Sequence, residues 1–349
     1  MNFILPFTYT AITTLALILL AIKFFPKLNL MDRPHKYGLK RKPIPYYGGL
    51  LLYISIISAI LFFVPISKQT IGLISGATLI TGIGFLDDKF SISPIIRLFV
   101  QFIAATTLVV SGIGILSINL PLIGEIPFTQ IQVNGIYLVS AAFTILWTMT
   151  IINTINFVDG VSGIVSSTTL ISAITLFVLS IHPGIHENPA SQIPIAQIAA
   201  IIAGACIIFF IFDIPRPKIL MGDTGSTLLG FLVATLAIFS GGKVATAFLV
   251  LGIPILDMIW VVARRVLNGQ KFWKGDLKHL HHRLMQLGMS KRTVVLSYMT
   301  ISIILGILAV SFVNTAQKIF IGSALLLFMI LLGTILIRTS KKLEPFKEQ

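Results

Sequence analysis

The sequence predicts an all-α, polytopic membrane protein with about eleven transmembrane helices in a single integral membrane domain, residues 1–349. Of these residues, 56% are hydrophobic and only 11% are charged, and the mean hydropathy is +0.96. A soluble domain needs far more charge to cover its surface. The apolar residues are also gathered into runs of about 17–22, which is long enough to cross a bilayer.

The predicted spans are separated mostly by short polar connections. They are residues 4–25, 46–64, 70–86, 95–114, 136–154, 163–181, 194–212, 224–241, 244–263, 294–312 and 318–338. An odd number of spans places the two termini on opposite sides of the membrane. Because the tail that begins at Arg338 is basic, the C-terminus is predicted to be cytoplasmic and the N-terminus outside.

The positions of the lysine and arginine residues support this orientation. Three of the 26, namely Lys68, Lys243 and Lys318, fall in predicted outer loops, and all the others fall on the predicted inner side. This asymmetry is the one that the positive-inside rule describes. It also relates the formal net charge of +14 to membrane lipid or an anionic substrate, so no nucleic acid is expected as a partner.

Two features lie apart from this pattern. Residues 117–133 contain short β-prone runs broken by proline and glycine, which predicts a small external β-hairpin. The single cysteine, Cys206, lies in an apolar run. It excludes an intrachain disulfide and a cysteine-based zinc site.

The aspartate and asparagine residues cluster at the cytoplasmic ends of the predicted spans. They are Asp87 and Asp88 after the third span, Asn153, Asn156 and Asp159 after the fifth, and Asp213 and Asp223 before the eighth. Charged side chains near a membrane are costly and are functional candidates by default. The alternative for any one cluster is an ordinary helix cap, for example Asp223 at the start of the eighth span. Three clusters on one face favour a shared site.

That shared site is predicted to lie in the cytoplasmic loops. These loops are residues 26–45, 87–94, 153–162, 213–223 and 264–293. Carboxylate and amide oxygens are hard ligands, which suit Mg²⁺ or Mn²⁺. Basic residues on the same face, among them Lys42, Arg97 and Arg283, suit a phosphate group. These residues therefore predict a membrane enzyme that acts on a phosphate ester at the cytoplasmic leaflet.

The segment HLHHR, residues 279–283, holds three of the six histidines. A zinc site is one interpretation, but zinc needs three or four converging ligands. On a helix, adjacent His281 and His282 point about 100° apart, whereas His279 and His282 would share a face beside Arg283. Imidazoles among so many lysines and arginines suit phosphate better than a cation. The segment is therefore predicted to cover the phosphate of a substrate.

Four motifs, GFLDD, NTINFVDG, MGDTGS and HLHHRLMQLGMSKR, occur in this order and resemble the polyprenyl-phosphate N-acetylhexosamine-1-phosphate transferases. The motifs extend over roughly residues 26–295, and HLHHRLMQLG favours the GlcNAc-1-phosphate branch. The resemblance implies transfer of a sugar-1-phosphate from a UDP-N-acetyl sugar to undecaprenyl or another polyprenyl phosphate, with release of UMP. This would be the first membrane step of cell-wall or surface polysaccharide synthesis. It also implies a multi-pass protein of the plasma membrane with a cytoplasmic active site.

The resemblance also implies roles for individual residues. Asn156 and Asp223 match the Mg²⁺ ligands. Catalysis is expected from the pair Asp87 and Asp88, linked to the lipid phosphate, and from Asp159 in the nucleotide-facing motif. Substrate contacts are expected from Asn153, Lys42, Arg97, His279, His281, His282 and Arg283.

Several alternatives stay open at this point. Ser162, Asp213 and Leu220 depart from the family pattern near the expected sugar or nucleotide pocket, so the donor could be another UDP-N-acetyl sugar, including that of the phospho-MurNAc-pentapeptide transferases. From another class, an ion-coupled transporter would explain Pro254 and Asp257 inside the ninth span. The choice between direct transfer and a covalent aspartyl-phosphate is open, as is the oligomeric state, with a homodimer as one alternative.

Overall fold

The structure is a computed structural model in which residues 2–34, 41–120, 124–182, 189–214, 216–239, 244–271, 279–312 and 315–340 are described. The first helices are α1 (Ile4–Phe24), α2 (Gly48–Phe63), α3 (Lys68–Phe90), α4 (Pro94–Val110), α5 (Leu138–Val158), α6 (Ile164–Ile181) and α7 (Ile193–Asp213). They are followed by α8 (Gly222–Phe239), α9 (Val244–Val250), α10 (Gly252–Leu267), α11 (Leu280–Gln286), α12 (Lys291–Ser311) and α13 (Thr315–Ser340).

The helical fold class is confirmed, and each predicted apolar run coincides with a helix or a helix pair. Within the described ranges, eight helices are long and apolar enough to cross a membrane. Two more apolar helices, α2 and α4, have 16 and 17 residues. The total of eleven spans and the orientation of the chain stay predictions.

The ninth predicted span, residues 244–263, is not one straight helix. The helices α9 and α10 meet at an angle of 82°. Pro254 has no N–H to donate to the carbonyl of Val250, so the helical hydrogen-bond pattern is interrupted at this point. The side chain of Leu325 on α13 packs against Gly252 at the break. The run can therefore cross the membrane only as a broken span, or it forms a re-entrant loop.

The predicted hairpin is present, and its external position stays a prediction. Strand β1 (Ser117–Leu120) pairs antiparallel with β2 (Gly124–Pro127), and residues 121–123 between them lie outside the described ranges. A second, unpredicted ladder joins β3 (Gln132–Val133) to β4 (Ile136–Tyr137). Its turn residues Asn134 and Gly135 have φ of 48° and 80°. An Asn-Gly pair with two positive φ angles is typical of a type I′ hairpin turn, so the sequence contained the signal.

Helix α8 passes through the middle of the bundle, where 89% of its span is buried. It packs against α2, α3, α5 and α6. Small residues allow the close approach: a Cβ at Gly84 of α3 would lie 2.6 Å from the Cα of Thr224. The start of α8 is thereby held against the end of α3, where the sequence places its acidic pair.

Candidate active site

The carboxylate of Asp88 caps the first turn of α8. Its Oδ1 accepts hydrogen bonds from the Asp223 backbone N–H at 2.9 Å and from the Tyr46 hydroxyl at 3.0 Å. Its Oδ2 accepts from the Thr224 hydroxyl at 2.5 Å and from the Thr224 backbone N–H at 3.2 Å. The free N–H groups at a helix start favour an anionic acceptor. Asp88 therefore fixes where α8 begins relative to α3.

Gly222 and Tyr46 lie next to the carboxylate of Asp88, and both suit its role as a cap. Gly222 has φ of 73°, and a Cβ there would lie 2.5 Å from Oδ2 of Asp88, so both the backbone and the available space favour glycine. Burial and the Asp88 carboxylate raise the pKa of Tyr46, so its hydroxyl stays protonated and donates. The alternative in which Asp223 caps its own helix is wrong, because Asp223 supplies a backbone donor while its side chain points elsewhere.

The side chain of Asp223 instead joins Asp87 and Arg97. Nη1 of Arg97 lies 2.5 Å from Oδ2 of Asp87 and 2.8 Å from Oδ2 of Asp223. The other oxygen of Asp87 accepts the backbone N–H of Ile92 at 2.7 Å, which fixes the Asp87 carboxylate. The three side chains come from α3, α4 and α8, and we call them the Asp–Arg–Asp cluster. The structure thus brings together three of the predicted site residues.

The two predicted asparagines lie on α5 beside this cluster. Asn156 donates through Nδ2 to the Ser226 hydroxyl at 3.0 Å, and among the residues that the structure describes none donates to its carbonyl oxygen. Asn153 donates through Nδ2 to Oε1 of Gln101 and to the Met149 carbonyl, both at 2.7 Å. These bonds orient both amides, and both side chains line the same cavity as Asp223.

Two cavities meet at the Asp–Arg–Asp cluster. One, of about 360 Å³, lies between α3, α4, α5 and α10. It is mainly apolar, with walls formed by Ile80, Ile83, Leu98, Leu146, Met149, Met258 and Val262. The other, of about 480 Å³, is polar, and its wall holds four basic side chains (Arg33, Arg41, Lys89 and Arg97) and four acidic ones (Asp32, Asp87, Asp88 and Asp223). Asp87, Arg97 and Asp223 line both cavities, so a single cluster faces an apolar space and a polar space that contains charges of both signs.

The histidine segment is held by Asp257 of α10. Its Oδ2 lies 2.9 Å from Nδ1 of His279, and its Oδ1 accepts the backbone N–H of Leu280 at 2.9 Å. His279 is extended, with φ of −67° and ψ of 156°, and directly precedes α11. Its ring stacks on that of His281, with 5.7 Å between centroids and 7° between planes. The prediction that His279 and His282 share a helical face was therefore wrong, because His279 lies outside the helix.

His281 is fully buried against the loop that follows α5. Its ring contacts Gly160, the residue after Asp159. Among the described residues neither of its ring nitrogens has a hydrogen-bond partner. Burial, with His282 and His279 close by, lowers the pKa of His281 well below its usual value. The ring is therefore neutral at physiological pH and can meet a ligand as a donor or an acceptor.

The buried, neutral His281 should make stability depend on pH. In the unfolded chain His281 binds a proton near pH 6.5, whereas in the folded chain it stays neutral. The free energy of unfolding should therefore fall by about 1.4 kcal/mol per pH unit below that value. We expect thermal unfolding in detergent between pH 7.5 and 5.5 to show a steeper loss of stability for the parent than for His281→Asn. Equal slopes for the two proteins would contradict a neutral His281.

Some predicted site residues lie away from both cavities. Lys42 is exposed and lines neither of them, whereas its neighbour Arg41 lines the polar one and is paired with Asp32 at 2.5 Å. Arg283 lines a third cavity, between α10, α11 and α13. Asp159 directly follows α5, next to the glycine that His281 contacts, and burial with the nearby carboxylates of Asp213 and Asp223 raises its pKa well above the usual value. Their roles in substrate binding and catalysis stay predictions.

The residues present fit a hard divalent cation only in part. In the described ranges, no group of three or more His, Cys, Asp or Glu side chains could hold a metal ion. Asn156 and Asp223 offer an amide oxygen and a carboxylate in one cavity wall. Magnesium typically uses one or two protein ligands and completes its shell with water and substrate phosphate. Two oxygen ligands are therefore compatible with Mg²⁺, and they would not form a closed metal site.

Sequence reasoning missed three residues that shape the site. Asp257 positions the histidine segment, Tyr46 bonds to Asp88, and Gln101 orients Asn153. For Asp257 a signal existed, because an acid inside an apolar run is a functional candidate. For Tyr46 and Gln101 the sequence gives no such signal, since both contacts join segments far apart in the chain.

These features define a class: a helical membrane protein with several apolar spans, whose carboxylates and arginine converge at helix ends beside two cavities. The family model described as glycosyl transferase family 4 matches residues 70–241. A decaprenyl-phosphate N-acetylglucosaminephosphotransferase from Mycobacterium leprae is 31% identical, over 77% of this chain and 73% of its own. The chain belongs to glycosyl transferase family 4, and the resemblance seen in the motifs is confirmed.

Two further relatives match over almost the whole chain. A probable undecaprenyl-phosphate N-acetylglucosaminyl 1-phosphate transferase from Bacillus subtilis is 26% identical, over 98% of this chain and 94% of its own. An undecaprenyl-phosphate alpha-N-acetylglucosaminyl 1-phosphate transferase from Yersinia pestis is 28% identical, over 94% and 88%. Because these relatives are named transferases, they favour an enzyme over the ion-coupled transporter.

Proposed function

We propose that this protein transfers GlcNAc-1-phosphate from UDP-GlcNAc to undecaprenyl or another polyprenyl phosphate, with release of UMP, at the cytoplasmic face of the plasma membrane. The observation that carries the proposal is the Asp–Arg–Asp cluster as the shared wall of an apolar cavity and a polar, charged cavity. A lipid phosphate needs apolar walls next to a charged site, and a nucleotide diphosphate needs cations. The names of the relatives point to the same pair of substrates.

The apolar cavity suits the first isoprenoid units of the lipid, with its phosphate at Asp87 and Arg97. The polar cavity suits the diphosphate of the donor together with a divalent cation, because Arg33 and Lys89 supply positive charge and its carboxylates, among them Asp223, would be offset by the metal. In the reaction, an oxygen of the lipid phosphate forms a bond to the β-phosphorus of the donor. The bond from that phosphorus to the bridging oxygen breaks, and UMP leaves with the electron pair.

The chain's own residues position this transfer. A phosphate monoester is already largely dianionic near neutral pH, so Asp87 need accept only its last proton. Arg97 holds Asp87 and Asp223 together and places a cation beside the reacting phosphates. Asp88, with both oxygens occupied by donors of α8 and Tyr46, acts as a positioning residue in this proposal.

We further propose that Asn156 and Asp223 hold Mg²⁺, with Mn²⁺ as a substitute. When bound, the metal would screen the charges of the two substrates and stabilise the UMP leaving group. The support is the pair of hard oxygen ligands in one cavity wall, together with a substrate that carries phosphate oxygens.

The proposal is tested with the purified chain in vesicles that contain undecaprenyl phosphate and Mg²⁺. Labelled UDP-GlcNAc, UDP-GalNAc and UDP-MurNAc-pentapeptide are supplied in separate reactions, and UMP release and lipid-linked sugar are measured. We expect UDP-GlcNAc to give the highest kcat/KM and vesicles without lipid phosphate to give no product. A higher kcat/KM for another donor would assign that sugar to this enzyme in place of GlcNAc. If no donor releases UMP, the proposed transferase activity is contradicted.

A further inference from the structure

Gln101 of α4 is a buried polar side chain in the wall of the apolar cavity. The residue is 5% exposed, and it lines that cavity together with Asn153 of α5. Nδ2 of Asn153 donates a hydrogen bond at 2.7 Å to Oε1 of Gln101 and a second, also at 2.7 Å, to the carbonyl oxygen of Met149. An amide in a mainly apolar wall is costly unless its polar groups find partners. Whether both ends of the Gln101 amide have partners therefore bears on what the cavity binds.

The Met149 carbonyl fixes the orientation of both amides. A carbonyl oxygen only accepts, so the atom of Asn153 that faces it is the nitrogen, and the atom of Gln101 that faces the same nitrogen is its oxygen. Among the residues that the structure describes, none accepts a hydrogen bond from Nε2 of Gln101, and this nitrogen is not one of the polar atoms sealed in the interior without a partner. The N–H donors of Gln101 are therefore available to a ligand in the cavity.

The position of Gln101 on α4 relates it to the Asp–Arg–Asp cluster. Gln101 follows Arg97 by four residues, about one helical turn, and residues at this spacing lie on the same helix face with Cβ atoms about 5–6 Å apart. Arg97 lines both cavities, whereas Gln101 lies one turn farther along, where Leu98 and Leu146 form apolar walls. A guanidinium and an amide donor thus occupy successive turns at the charged end of an apolar space. This arrangement suits a phosphate that carries an apolar chain.

The lining of the two cavities decides which substrate Gln101 can contact. Gln101 lines the apolar cavity and is not part of the wall of the polar cavity, in which the diphosphate of the donor is proposed to lie. An isoprenoid chain has no hydrogen-bonding atoms, so the phosphate is the part of the lipid that can accept from Nε2. A hydrogen bond to a charged acceptor is also stronger than one between neutral groups. The geometry therefore favours the lipid phosphate as the acceptor.

We propose that Gln101 is a substrate-binding residue for the lipid: its Nε2 donates to a phosphate oxygen of the polyprenyl phosphate, beside Arg97 on the preceding turn, and Asn153 holds the amide in this orientation. The inference rests on the proposed function, which places the lipid in this cavity. It assigns Gln101 an effect on one substrate, and on the phosphate of that substrate in particular. The site would thereby favour a phosphorylated polyprenol over the free alcohol.

The test is Gln101→Glu in the purified full chain, with equilibrium binding of labelled undecaprenyl phosphate and of labelled undecaprenol in detergent. Glutamate keeps the size of the side chain and an oxygen for Asn153, but it replaces the donors by an acceptor. Arg97 on the preceding turn favours its ionised form, which repels phosphate. We expect the Kd for undecaprenyl phosphate to rise at least about tenfold, which corresponds to about 1.4 kcal/mol. The Kd for undecaprenol should stay within about twofold.

A second variant, Gln101→Met, separates contact with the lipid from support of Asn153. Methionine is similar in length and removes both the donors and the oxygen that Asn153 uses. If Gln101 contacts the phosphate, both variants bind undecaprenyl phosphate more weakly than the parent. If Gln101 only orients Asn153, Gln101→Met binds weakly and Gln101→Glu binds like the parent, and the inference is overturned.

Thr107→Val is the matched control on the same helix. The Thr107 hydroxyl also bonds to another helix, at 3.1 Å from the Gly72 carbonyl of α3, but Thr107 does not line the apolar cavity. We expect this variant to bind both lipids within about twofold of the parent, whatever its melting temperature. Such a result shows that the loss of a polar contact in α4 does not by itself weaken binding of the phosphate.

The remaining outcomes are distinct. Equal rises in the Kd values for undecaprenyl phosphate and undecaprenol in Gln101→Glu overturn the inference, because they indicate a change in the cavity and not at the phosphate. In vesicles, a higher KM for UDP-GlcNAc with a parent-like KM for undecaprenyl phosphate also overturns it. If the parent chain releases no UMP from any donor, the proposed function fails, while the two binding constants still decide whether Gln101 contacts a lipid phosphate.

Discussion

Asp223→Ala is expected to lower UMP release by about three orders of magnitude, in line with the loss of a group that stabilises developing charge at a reaction centre. The carboxylate of Asp223 lies in the wall of both cavities and 2.8 Å from Arg97. Its removal takes away a proposed Mg²⁺ ligand and frees Arg97 from one of its two acids. The measurement is UMP release from UDP-GlcNAc by membranes or vesicles that contain the variant.

A matched control is available in Asp213→Asn. Asp213 is also a buried acid at a helix end, but it accepts the Gly163 N–H at 2.7 Å and the Ser166 hydroxyl at 3.0 Å. It lines neither cavity. We expect this control to lose thermal stability and to keep catalysis within about tenfold of the parent, since one hydrogen bond contributes about 1 kcal/mol.

The Mg²⁺ dependence adds a second measurement to this prediction. Asp223→Asn keeps one oxygen ligand, so the Mg²⁺ concentration for half-maximal activity should rise by about 10- to 100-fold. If Asp223→Ala makes lipid-linked sugar at the parent rate, the assignment of Asp223 as a metal ligand is wrong.

Asp88→Ala is expected to lower activity by at least about a hundredfold and also to destabilise the fold. Four donors, from Tyr46, Asp223 and Thr224, lose their acceptor at once. A buried donor left without a partner costs about 1–3 kcal/mol, and the start of α8 would shift and carry Asp223 with it. Thermal unfolding and UMP release should therefore fall together.

Tyr46→Phe is the matched control for Asp88→Ala. It removes one donor and leaves the three from α8 in place. We expect a small loss of stability and activity within about tenfold of the parent. If Asp88→Ala is inactive but unfolds at the parent temperature, Asp88 takes part in the chemistry, and its positioning role is refuted.

The adjacent acids Asp87 and Asp88 show what sequence reasoning could not separate. Both were expected to be catalytic. On a helix they point about 100° apart, and the structure directs Asp87 to Arg97 and Asp88 to the start of α8. Their division depends on how α3 is rotated against α8, and close packing at Gly84 sets that rotation. Two adjacent aspartates in the sequence do not indicate how α3 is rotated, so the sequence could not assign them different roles.

Other features could be predicted directly from the sequence. The apolar runs gave the positions of the helices, and the β-prone segment gave the hairpin at β1 and β2. Asp87, Arg97 and Asp223 were predicted to lie at the ends of spans on the same side of the membrane, and the structure brings them into contact. Pro254 marked the place of the bend between α9 and α10, which the sequence suggested only under the transporter alternative.

The sequence by itself determined the class of fold, the approximate positions of the helices and the set of polar residues at their ends, because hydrophobic length and the distribution of charge are local properties of the chain. The tertiary structure alone decided that Asp88 caps α8, that Asp257 holds His279, and that one cluster borders two cavities. The contacts of Asp257 and Asp88 join residues from 22 to 136 positions apart. They exist only once helix rotation and packing have brought the side chains within hydrogen-bond distance.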